Sequence, residues 1–277
     1  MVKPRIRTWQ MMRAGFVNWR RPALFAALYY RITRVFPQLA NSLGRVPYEL
    51  HARSGTRLVA FAQDLAAPAE VFGNNEYAIA NFNWSDAKFV FDLGAHIGSF
   101  TLWLSERSQA RVYCVEPNPD AFERLTRNVK GLQESGRATL RQAGLAGSSG
   151  RTHLVLAPGS ASISLGSVDG QLADGGEVEV ITLEQALDES GFPYVDVVKM
   201  DIEGAEYSVL ETASPLVFRN VSRWVIECHR TGSKDEATAA RLLQAAGYEV
   251  TTQTKPGGLA LLFANQGPYG AGHSRTP

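Results

Sequence analysis

The stretch Phe89-Val-Phe-Asp92-Leu-Gly94-Ala-His96-Ile-Gly98-Ser-Phe-Thr101 decides the fold. Its apolar start reads as a buried strand ending at Asp92, two glycines bracket a tight turn, and a helix over Ser99–Glu106 follows. Gly94 permits a backbone conformation closed to residues with a side chain. Gly98 allows the helix and a ligand to come close. In an open α/β sheet, ligands bind in the crevice beyond the carboxyl ends of the strands, so this turn marks the floor of a site.

The spacing narrows the ligand. A dinucleotide turn reads G-x-G-x-x-G, with helix amides holding a pyrophosphate. This chain has D-x-G-x-x-x-G, with a carboxylate at the strand end. Such an acid repels a pyrophosphate and attracts the ammonium and sulfonium of S-adenosylmethionine, which favours that cofactor over NAD. The second strand, Val112–Glu116, runs into Pro117 and Asn118. Glu116 lies 24 positions beyond Asp92, close to the roughly 20 expected for an acid that accepts both ribose hydroxyls. The expected cofactor-binding residues are Asp92, Gly94, Ala95, His96, Gly98, Glu116, Pro117 and Asn118, joined by Asp201 from a later strand.

Outward from the turn, strands are expected at Ala138–Ala143, Val195–Met200 and Trp224–Glu227, and helices at Asp120–Leu132, Ala205–Thr212 and Asp235–Ala246. Continuous Val/Ile/Phe runs alternating with helices indicate a parallel sheet covered on both faces. Tyr248–Thr252 and Leu259–Phe263, joined through Pro256-Gly257-Gly258, read as a closing hairpin. A Gly- and Ser-rich insertion at 150–181 carries strand-like pieces, and the tail from Gly267 reads as disordered.

Lys199-Met-Asp201-Ile-Glu203-Gly-Ala-Glu206 follows the Val195–Met200 strand, so its acids sit on the rim of the same crevice. Such a cluster can hold an ammonium, accept a proton or ligate a divalent cation. Glu203 and Glu206 share a helix face if the helix has already begun; alternatively Glu206 caps or pairs nearby and Lys199 neutralises one acid. Glu227 and His229 end the next strand and project to one side of it. His229, with an ordinary pKa of about 6.5, is either a general base or a packing residue. The candidate catalytic residues are Asp201, Glu203 and His229. Magnesium is compatible with these acids, but no metal site is assigned.

These blocks resemble the FkbM-type family of S-adenosylmethionine-dependent methyltransferases. The likeness is carried by Asp92-Leu-Gly-Ala-His-Ile-Gly98, by Val115-Glu-Pro-Asn-Pro119 with Leu125-Thr-Arg-Asn128, and most specifically by Val195-Asp-Val-Val-Lys-Met-Asp201-Ile-Glu-Gly-Ala-Glu206. Ile181-Thr-Leu183 and Ile226-Glu-Cys-His229 add to it, and the match spans about residues 70–265. His96 stands where the family usually carries asparagine. The resemblance implies a class I methyltransferase (Rossmann-like) fold, α/β with a seven-stranded, mostly parallel sheet whose last strand is antiparallel. It also implies O-methylation of a hydroxyl on a sugar, glycolipid, polysaccharide or polyketide-type product, hence a small-molecule or glycan acceptor.

The rest of the composition bounds the setting. The chain has 277 residues, 45% hydrophobic and 20% charged, which excludes disorder or a fibrous architecture for its bulk. Cys114 and Cys228 are far apart and sit in apolar runs. That excludes a disulfide scaffold or zinc ribbon and points to buried, reduced thiols in a cytoplasmic protein. The net charge of +1 hides an asymmetry: residues 1–57 carry eleven basic residues and a single acid, Glu49. A basic arm on an acidic body calls for an anionic partner, a phospholipid surface among them, or for the body itself. Residues 5–36 read as two helices broken near Arg21-Pro22, with Phe25, Leu28, Tyr29, Ile32 and Phe36 forming an apolar stripe. That stripe packs on the body or lies on a membrane surface. No run reaches the roughly 20 apolar residues of a spanning helix.

Three parts are therefore expected: a helical and hairpin extension over 1–65, a cofactor-binding domain over 66–266 and a flexible tail over 267–277. The alternative to an enzyme is a non-catalytic binding module of the same fold, docking to membrane or partner. Nucleic-acid methylation lacks the aromatic-rich basic groove it needs, so no nucleic-acid partner is expected. The oligomeric state is left open.

Overall fold

The computed structural model describes residues 4–36, 39, 43–79, 82–156, 163–166, 173–255 and 259–266. Helices α1 (Pro4–Gly15) and α2 (Arg20–Val35) lead into a hairpin of β1 (Pro47–His51) and β2 (Arg57–Phe61), then a stretch of short helical turns over 62–73. The main sheet starts with β3 (Phe89–Leu93), α3 (Ser99–Ser105), β4 (Arg111–Val115), α4 (Pro119–Asn128), α5 (Lys130–Glu134) and β5 (Ala138–Arg141). An insertion follows, with β6 (Gly144–Leu145), β7 (Gly150–Leu156), β8 (Ile163–Gly166) and β9 (Ala173–Ile181). The chain closes through α6 (Leu183–Ser190), β10 (Val195–Met200), α7 (Glu206–Thr212), α8 (Pro215–Asn220), β11 (Val221–Cys228), α9 (Glu236–Ala245), β12 (Tyr248–Thr254) and β13 (Ala260–Gln266).

Seven strands form the main sheet in the order β12-β13-β11-β10-β3-β4-β5. The pairs from β11 through to β5 are parallel, and β13 runs antiparallel to both of its neighbours. This is the α/β architecture expected for a class I methyltransferase. The order reverses between β3 and β10, which opens a crevice at their carboxyl ends. The register sets Lys199 of β10 beside Asp92 of β3. The insertion forms a separate four-stranded sheet in the order β6-β9-β7-β8.

Each face of the main sheet has its own core. One joins Val90, Val112 and Val197 to Trp84, Phe100 and Trp103, and includes Met11, Met12, Phe16, Leu50 and Leu58 from the N-terminal helices and hairpin. The other gathers Phe91, Val198 and Trp224 under Leu183, Tyr207, Val217 and Leu243 of the later helices. The amino-terminal extension thus completes one cover of the sheet. Its fit is close: a Cβ on Gly73 would lie 2.1 Å from the Met11 carbonyl oxygen. Cys114 and Cys228 are buried thiols. Among the described residues, no helix is long and apolar enough to cross a membrane.

Several local expectations need correction. The break between α1 and α2 lies at Phe16–Trp19, because Phe16 bridges to Ala52 and the Val17 N–H donates to the His51 carbonyl. Pro22 falls instead in the first turn of α2, where its missing donor costs nothing. The apolar stripe of α2 is split: Tyr29 is 2% exposed, whereas Leu28 and Phe36 are about half exposed at 50% and 49%. The helix expected at Asp120–Leu132 divides into α4 and α5, and the strand expected to reach Ala143 stops at Arg141. The Pro256-Gly257-Gly258 turn and the tail from Gly267 lie outside the described residues.

Candidate active site

A cavity of about 290 Å³ opens at the carboxyl ends of β3, β4, β10 and β11. Its wall includes Gly94, Ala95, His96 and Glu116–Pro117 on one side, Asp201–Glu203, Glu227 and His229 on the other, and Glu70, Glu76 and Tyr77 from the segment before β3. Six carboxylates therefore face a space that also receives one lysine, Lys199, and two imidazoles.

At the glycine turn, close packing and ion pairing explain each residue type. Gly94 has φ +76°, and a Cβ there would lie 1.8 Å from the Asp201 carbonyl oxygen. Gly98 has φ +86°, and its Cβ would meet Leu125 and Val129 at 2.9 and 3.0 Å. Gly98 thus admits the neighbouring helix, and it does not line the cavity. His96 also sits at positive φ, +51°, a region that His and Asn enter more readily than most residues. Asp92 is fully buried behind the turn and does not line the cavity. Its carboxylate lies 3.1 Å from Lys199 Nζ and accepts the Thr101 hydroxyl at 2.6 Å. Lys199 also donates to the Gly94 carbonyl at 2.7 Å. Burial works against charge on this lysine, but Asp92 and then Asp201 outweigh it and raise its pKa.

Glu116 accepts the His96 N–H at 2.8 Å and the Asn118 N–H at 2.9 Å, so it clamps both turns. Burial raises its pKa, opposed by His96 and these two amides. Asn118 caps α4 by accepting the Asp120 N–H and does not reach the cavity wall. The His96 ring lies 3.4 Å from Asp64, which also pairs with Arg124 at 2.9 Å. Burial disfavours the imidazolium, but the Asp64 contact and the charge of Glu116 reverse that and raise its pKa. Asn128 holds the turn from behind, bonding the Val59 backbone twice and the Ile97 carbonyl once.

The opposite rim is different. β10 ends at Met200, and the Asp201 N–H donates to the Leu93 carbonyl. Glu203 has φ +56° and lies in the turn before α7, so it does not share a helix face with Glu206. Glu206 is fully buried; its carboxylate holds His229 Nδ1 at 2.9 Å and accepts the Ile202 N–H. His229 Nε2 then faces Glu203 at 3.4 Å, Glu227 at 3.8 Å and Asp201 at 3.9 Å. Burial lowers the affinity of this ring for a proton, but Glu206, Asp201 and Glu203 overcome it and lift the pKa to about 9. Glu227 is pushed well above the usual carboxylate range by burial and by Asp201, with Lys255 opposing. Lys255 pairs with both Glu227 and Glu76. Asp201, Glu227 and His229 offer one ligand atom each within 4.8 Å, a spacing a divalent cation can bridge.

The structure brings Gly94, Ala95, His96, Glu116, Pro117, Asp201, Glu203 and His229 to one cavity. Sequence reading missed Glu76, Tyr77, Lys199 and Glu227 as wall residues. Lys199 and Glu227 stood inside recognised blocks; Glu76 and Tyr77 lie at the start of the resembling span, with no periodicity to mark them as site residues. The phenol of Tyr77 is buried, and burial followed by the charge of Glu76 raises its pKa, so it stays protonated among the carboxylates.

Residues 92–250 match the Methyltransferase FkbM domain. The chain is 31% identical over 169 residues to Hexuronic acid methyltransferase AglP of Haloferax volcanii, covering 57% of this chain and 62% of that one. It is 25% identical over 218 residues to the 31-O-demethyl-FK506 methyltransferase FkbM of Streptomyces tacrolimicus, covering 68% and 82%. Among solved structures, Methyltransferase FkbM from Methylobacillus flagellatus KT aligns with a TM-score of 0.50 at 18% identity, over 85% of this chain and 60% of that one. That last likeness is one of fold.

Proposed function

The chain belongs to the FkbM-type family of S-adenosylmethionine-dependent methyltransferases, and from that premise we infer an O-methyltransferase acting on a hydroxyl of a sugar, glycolipid, polysaccharide or polyketide-type acceptor. The observation that carries the reading is the convergence of Glu70, Glu76, Glu116, Asp201, Glu203 and Glu227 on one cavity beside the glycine turn. So much negative charge suits a cationic occupant and opposes a pyrophosphate. The acceptor class draws on the relatives: one is named for hexuronic acid, and the name of the other puts the methyl acceptor on an oxygen.

The residues present fit the cofactor. Each Glu116 oxygen already accepts one backbone amide and retains a lone pair for a ribose hydroxyl. The turn from Gly94 to His96 supplies a backbone-lined edge. Asp92 contributes indirectly, by anchoring the lysine that holds the turn. When bound, S-adenosylmethionine supplies an electrophilic methyl group on a sulfonium.

The acidic rim would hold the acceptor hydroxyl in line and take its proton. With its pKa raised to about 9, His229 is already protonated at neutral pH, so it acts as a charge that orients carboxylates. Proton acceptance then falls to Asp201, with Glu203 and Glu227 closing the rim. Positioning of the reacting groups can contribute several kcal/mol, up to roughly 7–11. Asp201, Glu227 and His229 could instead hold a divalent cation if the His229 ring gave up its proton, and such a set would suit manganese or zinc better than magnesium, which prefers oxygen ligands alone.

The test is methyl-labelled donor with a panel of hexuronic acids, hydroxylated glycans and polyketides, with magnesium or with chelator. Label recovered in a base-stable ether supports the reading. Label released by mild base as an ester, or no transfer to any oxygen, contradicts it.

A further inference from the structure

Seven large apolar side chains are exposed among the described residues, and six of them lie between positions 17 and 39: Val17, Leu24, Leu28, Val35, Phe36 and Leu39. Three of these lie on α2. At about 100° per residue, Leu24, Val35 and Leu28 fall within one narrow outward stripe. Arg20 and Arg31 flank the stripe on one side and Arg21 on the other, all three exposed. The opposite side of the same helix carries Pro22, Ala23, Ala26 and Tyr29, all buried against the body. α2 is therefore apolar on two faces, and only one is used within the chain.

We propose that the outer face of α2 docks the protein on an anionic phospholipid surface. Charge complementarity selects this occupant. None of Arg20, Arg21 and Arg31 makes an ion pair with a described residue, and Glu49, the lone acid among the first 57 residues, lies on the hairpin beside His51 and Arg57. An apolar stripe between arginines is the pattern of a helix lying in the headgroup plane, its aliphatic tips in the acyl boundary and its guanidinium groups among phosphates. The helix is too short and too charged to span, so the contact is peripheral. Membrane contact by the basic arm is one of the two roles its composition allows, and packing on the body is the other; the two faces of α2 let it do both.

The placement bears on the active site. α2 packs on the turn Ala62–Asp64, and Asp64 in turn holds His96 and Arg124 beside the cavity. A docked α2 would set that wall of the site at a fixed distance from the lipid surface.

The experiment is cosedimentation of the full chain with vesicles of phosphatidylcholine alone and with 30% phosphatidylglycerol (about that fraction) at two salt concentrations. Binding to the anionic vesicles, weakened by salt, is expected. Leu24→Glu with Leu28→Glu should reduce it at least tenfold, as should Arg20→Glu with Arg31→Glu. Leu216→Glu, at an exposed apolar position elsewhere on the chain, should leave it unchanged. Unaltered circular dichroism and thermal midpoint establish that the variants fold. No preference for anionic vesicles, or equal binding by the Leu24/Leu28 variant, overturns the proposal. So does a dimer in sedimentation velocity that the same variant abolishes, because the face would then be covered by a second copy.

Discussion

The two rims of the cavity handle charge in opposite ways. Around the glycine turn every buried charge is answered: Asp92 by Lys199, Asp64 by Arg124 and His96, Glu116 by two backbone amides. At the ends of β10 and β11, Glu76, Asp201, Glu203, Glu206 and Glu227 gather around Lys255 and His229, so that among the described residues the acids outnumber the bases there. The first arrangement is that of a rigid holder. The second stores negative charge that a cationic ligand relieves. On the proposed function, the rigid side grips the cofactor's neutral parts and the surplus negative charge faces the sulfonium.

The largest effect should come from breaking the holder. Lys199→Met leaves Asp92 charged and buried without its partner, which costs about 3–5 kcal/mol of stability. Urea denaturation would read this, and Lys199→Met combined with Asp92→Leu should recover much of the loss. A single variant as stable as the parent would mean that the two charges are not coupled.

At the reactive rim, Asp201→Asn should lower turnover by about 10²-fold, within the range of lost proton-transfer catalysis, with cofactor affinity changed less. Single-turnover kinetics beside equilibrium titration separates the two. Equal turnover removes Asp201 from the reacting set. Back at the holder, Glu116→Ala should weaken cofactor binding by about 1–3 kcal/mol through lost charged hydrogen bonds. Calorimetry that finds unchanged affinity would shift the ribose elsewhere.

The smallest effect is one of pH. The folded pKa of His229, about 9, lies above its ordinary value of 6.5. Its contribution to stability is therefore complete below pH 6.5 and is lost as pH rises through 9. The stability difference between the parent and His229→Gln should shrink across that window, and NMR titration should find the ring protonated at pH 7. An imidazole titrating near 6.5 would show that the carboxylates do not enclose it.

Much of this was legible in the sequence, and what was not has a physical reason. Strand ends carry their own signal, so β3, β10 and the chemistry-bearing residues after them could be read directly. The partner of Asp92 could not, because Lys199 reaches it only through the parallel register of β3 and β10. Gly98 read as a close approach for both helix and ligand, and the Leu125 and Val129 contacts account for the helix half. Asn128 looked like a family mark, and its three backbone bonds explain why an amide is needed there. Glu76 and Tyr77 precede the sheet in a segment with no periodicity, and only tertiary packing carries them to the cavity. The apolar repeat of α2 was visible, but one stripe was read where the helix has two faces.

Whether negative charge on the rim selects a cationic ligand is tested by one paired titration. Affinity for S-adenosylmethionine and for its neutral thioether product should be measured by calorimetry in the parent and in Asp201→Asn/Glu227→Gln. The double variant should lose affinity for the sulfonium ligand and keep it for the thioether. Equal losses for both ligands, or none for either, would contradict that selection.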